Sequence, residues 1–348
     1  MKNDKMVYIN LRPLAAEKSI FKMAISDRSD GKTTGAVWLA VESFDASRKS
    51  ATFCRRYNTE MGALFFEQVE RSLKTRDKYG IWQGIGSRDF DFVKPSKKDG
   101  VGRLLLQPLD SDRKETAITF APLSKAGRLK SAFDYETHRH LFIDEYVPLD
   151  NRYLPNEFEA ILELYRTIDR NHFDNYVMIC ANKVTEHNPV FDYLNIREWK
   201  NGLNTYKNGA FSLLCYHNKG NAKIVEKSAF NDLVRGTAYE AYTAGGFLRT
   251  NKQLLKAYFS RLAICYVAHE GRLFGCYQSE NDAVFAPARG NMPAPVVCVE
   301  PQAATFGAVW LQNAPDVRAV LASFKYENRL FFDSESTLNT LRKVYAAI

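Results

Sequence analysis

The first 195 residues alternate between short apolar runs and longer stretches in which apolar residues recur at helical spacing. Four short apolar runs predict buried strands: residues 20–25, 51–57, 139–143 and 176–181. Residues 88–122 contain short strand-like pieces between Gly, Lys and Asp turns, which predicts a hairpin. Helical spacing predicts helices over 32–43 and 58–73, and a third helix that opens at Pro155. The predicted apolar face of this third helix consists of Phe158, Ile161, Leu162, Tyr165 and Ile168. Strands that alternate with helices indicate an α/β domain with a parallel sheet.

The pattern changes after about residue 197. Residues 198–247 are polar and rich in Asn, Gly and Tyr, so we interpret them as a small connecting element. Strand-like runs return from about residue 250 as LAICYVA, GRLFGCY, APVVCVE and RLFF, and a final helix is predicted over 335–346. The predicted organisation is an α/β domain over 1–197, a linker subdomain over 198–249 and a smaller α+β domain over 250–348.

Composition narrows the class of protein. The 348 residues are 45% hydrophobic and 25% charged, which is ordinary for a globular protein and argues against a disordered or coiled-coil chain. No apolar stretch has the length of a membrane-spanning helix, and the N-terminus lacks the apolar core of a secretory signal, so we expect a cytoplasmic protein. Six scattered cysteines without a CxxC pair predict reduced core thiols rather than a zinc site, and the six histidines show no metal-ligand spacing.

Basic residues exceed acidic ones, 48 to 40, and the resulting net charge of +8 favours an anionic partner. Three basic clusters lie in a turn-rich part of the chain, at 74–80, 94–103 and 112–114. Each cluster alone is also typical of a solvated loop. Their proximity favours a surface for nucleic acid or phosphate.

A phosphate-binding motif follows the first predicted strand. Residues 26–33 read SDRSDGKT, which matches the P-loop pattern GxxxxGK[ST] at its last three positions. In such a loop, backbone N–H groups surround the β-phosphate at the start of a helix. Lys32 would reach the phosphate oxygens, and the Thr33 hydroxyl would bind Mg²⁺.

Two features depart from this pattern. Ser26 replaces the first glycine, at a position that often needs an unusual backbone conformation. Asp27 and Asp30 add negative charge beside a phosphate, which Arg28 or Mg²⁺ must offset. The alternative interpretation is an Asp/Gly turn that leads into a helix.

A second motif, LFIDE at 141–145, ends the third predicted strand with two acids, as in a Walker B motif. Asp144 would hold Mg²⁺ opposite Thr33, and Glu145 would polarise the attacking water. Asn182 ends the next strand and is a candidate sensor of the γ-phosphate, with a helix cap or turn residue as the alternative.

A family resemblance covers most of the chain and is strongest over 139–195. The matching pieces are the Asp-Glu strand end, YLPNE, the RN after the third helix, the CAN strand end, FCRRY at 53–57, PLS at 122–124 and GTAYE at 236–240. In these the chain resembles the DNA-packaging (encapsidation) ATPases of small tailed phages of the phi-29 type.

The resemblance implies an additional-strand (ASCE) P-loop ATPase domain of the terminase type, a linker, and a C-terminal domain similar to an RNase H-fold nuclease without activity. It implies a ring, expected to be a pentamer, that uses ATP and Mg²⁺ to pump double-stranded DNA through the portal into the prohead. A prohead RNA can attach such a ring. The expected location is the host cytoplasm, transiently at the portal vertex, with no membrane partner.

The resemblance also implies roles for individual residues. Glu145 matches the catalytic base, Arg170 a trans-acting arginine finger, Lys130 a second basic residue at the subunit boundary, and Asn182 the sensor. The alternative for Arg170 is a helix C-cap. Thr33 and Asp144 match the metal-binding residues, and Arg55 or Arg56 is a candidate switch that holds Glu145 in an inactive pose. The expected ATP-binding residues are Ser26, Asp27, Arg28, Ser29, Asp30, Gly31, Lys32, Thr33 and Thr34.

Contacts with DNA are predicted from charge alone, because tracking a duplex needs cations that reach phosphates without reading bases. The candidates are Lys74, Arg76, Lys78, Lys94, Lys97, Lys98 and Arg103. The strand-like runs after residue 250 carry few acids, whereas a two-metal nuclease needs clustered carboxylates, so we expect no nuclease activity.

Three other functions stay open from the sequence: another P-loop DNA motor such as a helicase, a terminase that also cuts DNA, and a non-enzymatic basic protein that binds nucleic acid.

Overall fold

A computed structural model shows the fold of most of the chain. It describes residues 8–76, 82–96, 100–129, 133–149, 153–154, 156–185, 188–194, 196, 198–217, 229–235, 237, 240, 247, 263–279, 281–288, 294–299, 307–327 and 329–348. The chain divides into two compact units. The first contains residues 1–147, 157–184 and 197–248, and the second contains 148–156, 185–196 and 249–348.

The first unit is built on a nine-stranded sheet. Its strands are β1 (Phe21–Ser26), β2 (Ser50–Arg55), β3 (Phe90–Val93), β4 (Gly102–Leu106), β5 (Glu115–Pro122), β6 (His138–Ile143), β7 (Val177–Asn182), β8 (Gly202–Tyr206) and β9 (Phe211–Cys215). They lie in the order β3-β4-β5-β2-β6-β7-β1-β9-β8. The six strands from β5 to β9 in this order run parallel, and antiparallel strands flank them on both sides. This confirms the predicted α/β fold with a parallel sheet.

Helices cover both faces of this sheet. They are α1 (Arg12–Ala15), α2 (Lys32–Ser47), α3 (Ala63–Lys74), α4 (Ala126–Leu129) and α5 (Glu157–Asp169). Helix α2 is buried along most of its length and joins α3 in a core with Phe53, Phe120 and Phe142. The predicted helix over 58–73 is split because Gly62 is extended, so a 3-10 turn precedes α3. On α5 the buried face includes Leu164 instead of the predicted Leu162, because spacings of three and four residues from Ile161 lead to Leu164 and Tyr165.

The polar stretch after residue 198 differs from its prediction as a connecting element. Strands β8 and β9 form an antiparallel hairpin, and β9 pairs in parallel with β1. The sheet therefore crosses the predicted boundary at residue 197. Only β9 is mostly buried, and β8 is an exposed edge strand, so the pair lacks the long apolar pattern by which buried strands are found. A short helix, α7 (Ala229–Val234), also belongs to this unit.

The second unit contains a six-stranded mixed sheet. Its strands are β10 (Ala263–His269), β11 (Arg272–Ser279), β12 (Asp282–Pro287), β13 (Val296–Cys298), β14 (Val309–Trp310) and β15 (Leu330–Phe332), in the order β14-β13-β10-β11-β12-β15. Its helices are α6 (Pro189–Leu194), α8 (Pro315–Tyr326), α9 (Glu335–Thr340) and α10 (Arg342–Ala347). The four predicted strand-like runs supply β10, β11, β13 and β15, whereas β12, β14 and α8 were not predicted. The final predicted helix is divided at Leu341. The RNase H-like assignment stays a prediction.

Two further expectations concern burial and hydropathy. All six cysteines are buried and free, as predicted. Within the described part of the chain, every helix is too short or too polar to cross a bilayer.

Candidate functional site

Four polar residues of the predicted site lie where parallel strands of the first unit end. Ser26 ends β1 and pairs in register with Asn182, which ends β7. Arg55 ends β2, and Asp144 directly follows β6. Because parallel strands present their carboxyl ends at one edge, these side chains meet there, and this edge is where open α/β sheets bind ligands.

The phosphate loop, residues 26–31, does not need a glycine at its first position. Ser26 is the last residue of β1 and is therefore extended, while the left-handed backbone occurs at Ser29 (φ 69°) and Gly31 (φ 80°). A Cβ at Gly31 would lie 2.4 Å from Cδ1 of Tyr8. Glycine is thus required at position 31 by both its backbone angle and its close contact with Tyr8.

Lys32 begins α2 and turns its side chain back into the loop. Its Nζ donates hydrogen bonds to the Ser26 carbonyl (3.2 Å), Ser26 Oγ (2.9 Å) and the Asp27 carbonyl (2.8 Å). Burial lowers the pKa of Lys32, and nearby acids, Asp30 foremost, oppose that effect. The ammonium group is therefore held inside the ring of loop atoms where a P-loop lysine would meet phosphate.

Thr33 and Asp144 lie together, as their predicted role in binding a metal requires. Thr33 Oγ1 is 2.9 Å from Oδ1 and 3.1 Å from Oδ2 of Asp144, so the hydroxyl donates to the carboxylate. Asp144 is buried. A hydroxyl and a carboxylate beside a phosphate loop are the hard oxygen donors that Mg²⁺ prefers, so these residues fit that ion.

Glu145 projects from a strained position between two neighbouring strands. The N–H groups of Asp144 and Tyr146 donate to carbonyls of Cys54 and Cys180, which fixes the chain on either side. Glu145 itself has φ 53°, which is costly for a residue with a Cβ and is typical of functional sites. Its side chain is 58% exposed and can reach a bound ligand or water.

Arg55 contacts both acids, with the shorter contact to Asp144. Its Nη2 and Nε lie 2.7 and 3.1 Å from Oδ2 of Asp144, and Nη2 lies 3.8 Å from Glu145. Burial alone would lower the pKa of Arg55, but the charges of Asp144 and Glu145 outweigh burial and raise it. The guanidinium also stacks on Phe65, 4.4 Å from the ring centroid.

Arg56, the other candidate switch, is engaged elsewhere. It makes a buried two-point ion pair with Glu157 of α5, with both N···O distances 2.8 Å, and donates to the Tyr146 carbonyl. This geometry favours Arg55 for the switch.

The two acids of the phosphate loop are held by neighbouring groups. Asp30 Oδ2 accepts the Asp27 N–H at 3.1 Å. The Asp27 carboxylate lies 2.9 Å from Lys183 Nζ and 2.9 Å from His217 Nδ1. Arg28, the predicted counter-charge, is exposed and lines the adjoining cavity.

A cavity of about 420 Å³ joins these residues, and its volume lies in the range of small-molecule sites. One wall consists of the phosphate loop, the acids and Asn182. Another part of the lining comes from helix α3, the residue that follows it and the segment before α1, and sequence reasoning missed it: Tyr8, Gln68, Arg71, Ser72 and Thr75. Thr34 also lines the cavity, and its hydroxyl lies 3.2 Å from Ser72 Oγ. The packing of α3 beside α2 brings Gln68, Arg71, Ser72 and Thr75 to the site, whereas Tyr8 comes from the segment before α1 and packs against Trp38.

Arg170 lies at the end of α5, exposed and outside the cavity wall. Arg170, Asn171 and Phe173 all have positive φ, at 46°, 66° and 59°. The buried Asp169 carboxylate fixes this turn by accepting the N–H groups of Phe173 (3.0 Å) and Asn175 (3.2 Å). The arrangement presents Arg170 outward from its own chain.

The structure gives a partial account of the remaining predicted residues. Lys130, Lys78, Lys97 and Lys98 lie outside the described residues. Lys74, Arg76, Lys94 and Arg103 are exposed, as nucleic-acid contacts must be. Lys74 is paired with Glu70 and lies beside Phe90 at the start of β3, whereas Lys94 follows the end of that strand. Arg103 borders a different cavity, which is also lined by Ser50 and His138. These two residues begin β2 and β6, so this cavity lies at the amino ends of the strands, away from the candidate site.

Comparison with solved structures shows which known proteins share this fold. No protein-family model and no curated protein matches the sequence. Among solved structures, the phi-28 gp11 DNA packaging motor aligns at a TM-score of 0.58 with 17% identity over 98% of both chains. The bacteriophage phi-29 viral genome packaging motor assembly aligns at a TM-score of 0.52 with 16% identity over 97% of both chains. The chain therefore has the fold of the phi-29-type DNA-packaging motors, as the sequence resemblance predicted.

Proposed function

We propose that this chain is the ATPase subunit of a ring motor that moves double-stranded viral DNA into a prohead. The observation that carries the proposal is the meeting of Lys32, Thr33, Asp144 and Glu145 at one edge of a sheet with the packaging-motor fold. A P-loop lysine, a hydroxyl–carboxylate pair and an adjacent acid are the parts that phosphoryl transfer to water requires.

The chain supplies a cradle for Mg-ATP. Backbone N–H groups of the phosphate loop and the N-terminus of α2 would face the phosphates, and Lys32 would exchange its carbonyl partners for phosphate oxygens. Thr33 and Asp144 would hold Mg²⁺, which when bound neutralises charge on the phosphate oxygens.

Catalysis would depend on Glu145 and its neighbours. Its exposed carboxylate would orient a water for in-line attack. Asn182, beside Ser26 in register, would sense the terminal phosphate. Arg55 would hold the acidic pair until nucleotide or DNA displaces it, since its guanidinium contacts both carboxylates.

The outward position of Arg170 supports hydrolysis at subunit interfaces. We assign Arg170 to the neighbouring subunit's site, with Lys130 as a second basic residue there. A ring, proposed to be a pentamer, would surround DNA and contact phosphates through the exposed cations Lys74, Arg76, Lys94 and Arg103. The portal is the expected docking partner, with a prohead RNA as an additional one.

Mixed rings test this proposal. We expect Glu145→Gln and Arg170→Ala subunits each to hydrolyse ATP at least a hundredfold more slowly than wild type, because arginine fingers contribute ~10³-fold or more to turnover. Mixing the two variants should restore a substantial fraction of activity, since some interfaces then combine an intact base with an intact finger. Mixtures as inactive as either variant alone would contradict a trans-acting Arg170. DNA unwinding without proheads, instead of packaging with them, would favour a helicase.

A further inference from the structure

Three neighbouring strands place a cation, an anion and a histidine side by side just past the edge of the sheet. Ser26 of β1 pairs with Asn182 of β7, and Ile25 pairs with Cys215 of β9. The chain beyond β9 stays in line, because the Tyr216 N–H donates to the Ile25 carbonyl. Asp27 is therefore flanked by Lys183 on one side and His217 on the other.

Both neighbours contact the carboxylate of Asp27. Lys183 Nζ lies 2.9 Å from Oδ1, and His217 Nδ1 lies 2.9 Å from Oδ2. A carboxylate only accepts hydrogen bonds, so Nδ1 of His217 carries the hydrogen and donates it. Lys183 is 2% exposed, and a buried ammonium of this kind persists only beside a compensating charge.

The position of Asp27 gives this row of residues its significance. Asp27 belongs to the phosphate loop, and its carbonyl already accepts a hydrogen bond from Lys32. An uncompensated carboxylate there would repel a polyphosphate, since like charges in a partly buried site repel each other more strongly than they do in water. The contacts with Lys183 and His217 turn the carboxylate toward the sheet edge and offset its charge.

We propose that Lys183 and His217 are positioning residues that hold and neutralise Asp27, and so allow an acidic phosphate loop to bind nucleotide. The inference rests on the proposed function, because it concerns the same nucleotide site. Both residues lie outside the P-loop and Walker B motifs, Lys183 directly after β7 and His217 just beyond β9. It also explains how this loop carries an acid at its second position.

Variants that remove the charges of Asp27 and Lys183 test the proposal. The probe is Mg-ADP, and its dissociation constant is measured by calorimetry on the full chain. Lys183→Met should weaken binding about tenfold, and Lys183→Arg should retain most of the affinity. Asp27→Asn should bind at least as tightly as wild type, because the loop then carries no carboxylate at this position that needs to be offset. The double variant Asp27→Asn with Lys183→Met should recover binding to within about threefold of wild type. Lys18→Met, at an exposed position of the same unit, is the matched control.

Several outcomes would overturn the inference. Wild-type affinity in Lys183→Met would show that Asp27 needs no compensation. A double variant as weak as Lys183→Met would show that the lysine acts only through packing. Should Lys183→Met fail to fold, tenfold weaker binding by the single variant Asp27→Asn would still contradict the proposal. Failure of wild type itself to bind Mg-ADP would overturn the proposed function, and the inference with it.

Discussion

Arg55 pairs with the Asp144 carboxylate, which we assign to magnesium binding. The guanidinium charge therefore lies next to the proposed position of the Mg²⁺ ion. The Arg55–Asp144 pair is buried, with an N···O distance of 2.7 Å. Such pairs are expensive to break from one side, because the remaining charge loses its compensation. A bound Mg²⁺ can supply that compensation instead.

Replacing Arg55 should therefore separate stability from nucleotide affinity. We expect Arg55→Gln to lower the free energy of unfolding by about 3 kcal/mol without nucleotide, yet to bind Mg-ADP at least as tightly as wild type. Denaturant unfolding with and without Mg-ADP measures both quantities. Arg56→Gln is the comparison, because its partner Glu157 lies outside the cavity wall. Arg56→Gln should therefore lower the free energy of unfolding by the same amount with and without Mg-ADP. Weaker Mg-ADP binding by Arg55→Gln would contradict this account.

Site residues that follow one another along the chain could be predicted from the sequence. Site residues that are brought together only by the order of strands in the sheet could not. Gly31, Lys32 and Thr33 follow one another, so their motif is visible without a structure. The row of Lys183, Asp27 and His217 needs the knowledge that β7 and β9 flank β1, which the sequence does not contain. The backbone gives no reason for a glycine at position 26, because Ser26 lies in extended backbone at the end of β1.

At the scale of elements, a buried acid helps to hold the turn after α5 in an unfavourable backbone conformation. Asp169 is 1% exposed, and its oxygens accept the backbone N–H groups of Phe173 and Asn175 as well as Asn175 Nδ2. Three positive φ angles within four residues are maintained only when surrounding contacts impose them. We therefore expect the direction of Arg170 to depend on Asp169.

Asp169→Asn should reduce turnover without reducing nucleotide binding. An amide accepts at one atom where the carboxylate accepts at two, so the turn should loosen and Arg170 should lose its direction. We expect ATP hydrolysis by assembled rings to fall about tenfold or more, as a fraction of the value of an arginine finger, while Mg-ADP affinity of the subunit stays within twofold. Glu163→Gln, on the exposed face of the same helix, should leave turnover unchanged. Unaltered turnover in Asp169→Asn would show that the turn does not direct Arg170.

Elements with strong periodicity were predictable and marginal ones were not. The buried parallel strands and helix α5 follow from apolar spacing, whereas α2 is buried along most of its length and is indicated by its apolar run after the glycine turn. Strands β8 and β14 are exposed over most of their length, so their residues carry little of the hydrophobic alternation by which strands are recognised. For this reason the segment that forms the hairpin of β8 and β9 was interpreted as a linker, although it belongs to the sheet.

At the scale of the whole molecule, two buried histidines of β6 predict acid sensitivity. Burial lowers the pKa of His138 to about 4 and that of His140 to about 3, from 6.5. Below pH 6.5 the unfolded chain binds protons that the folded chain refuses, so stability is complete above pH 6.5 and falls with decreasing pH. Each histidine should contribute about 1.4 kcal/mol per pH unit until its folded pKa is reached.

Denaturant unfolding between pH 7 and pH 4.5 measures this dependence. His138→Gln should reduce the slope of the unfolding free energy against pH by the equivalent of about one proton. His140→Asn should do the same and is compatible with the positive φ of 52° at that position. Variants that retain the full wild-type slope would mean that other groups cause the acid sensitivity.

The central claim is that the carboxyl edge of the first sheet binds Mg-ATP through Lys32, and thermal unfolding tests it without requiring an assembled ring. A ligand that binds only the folded state raises its stability by about 2.7 kcal/mol at a hundred times its dissociation constant. We therefore predict that Mg²⁺ with a slowly hydrolysed ATP analogue raises the melting temperature of wild type by about 5 °C or more and leaves Lys32→Ala unchanged. An equal shift in both proteins, or no shift in wild type at millimolar ligand, would contradict the claim.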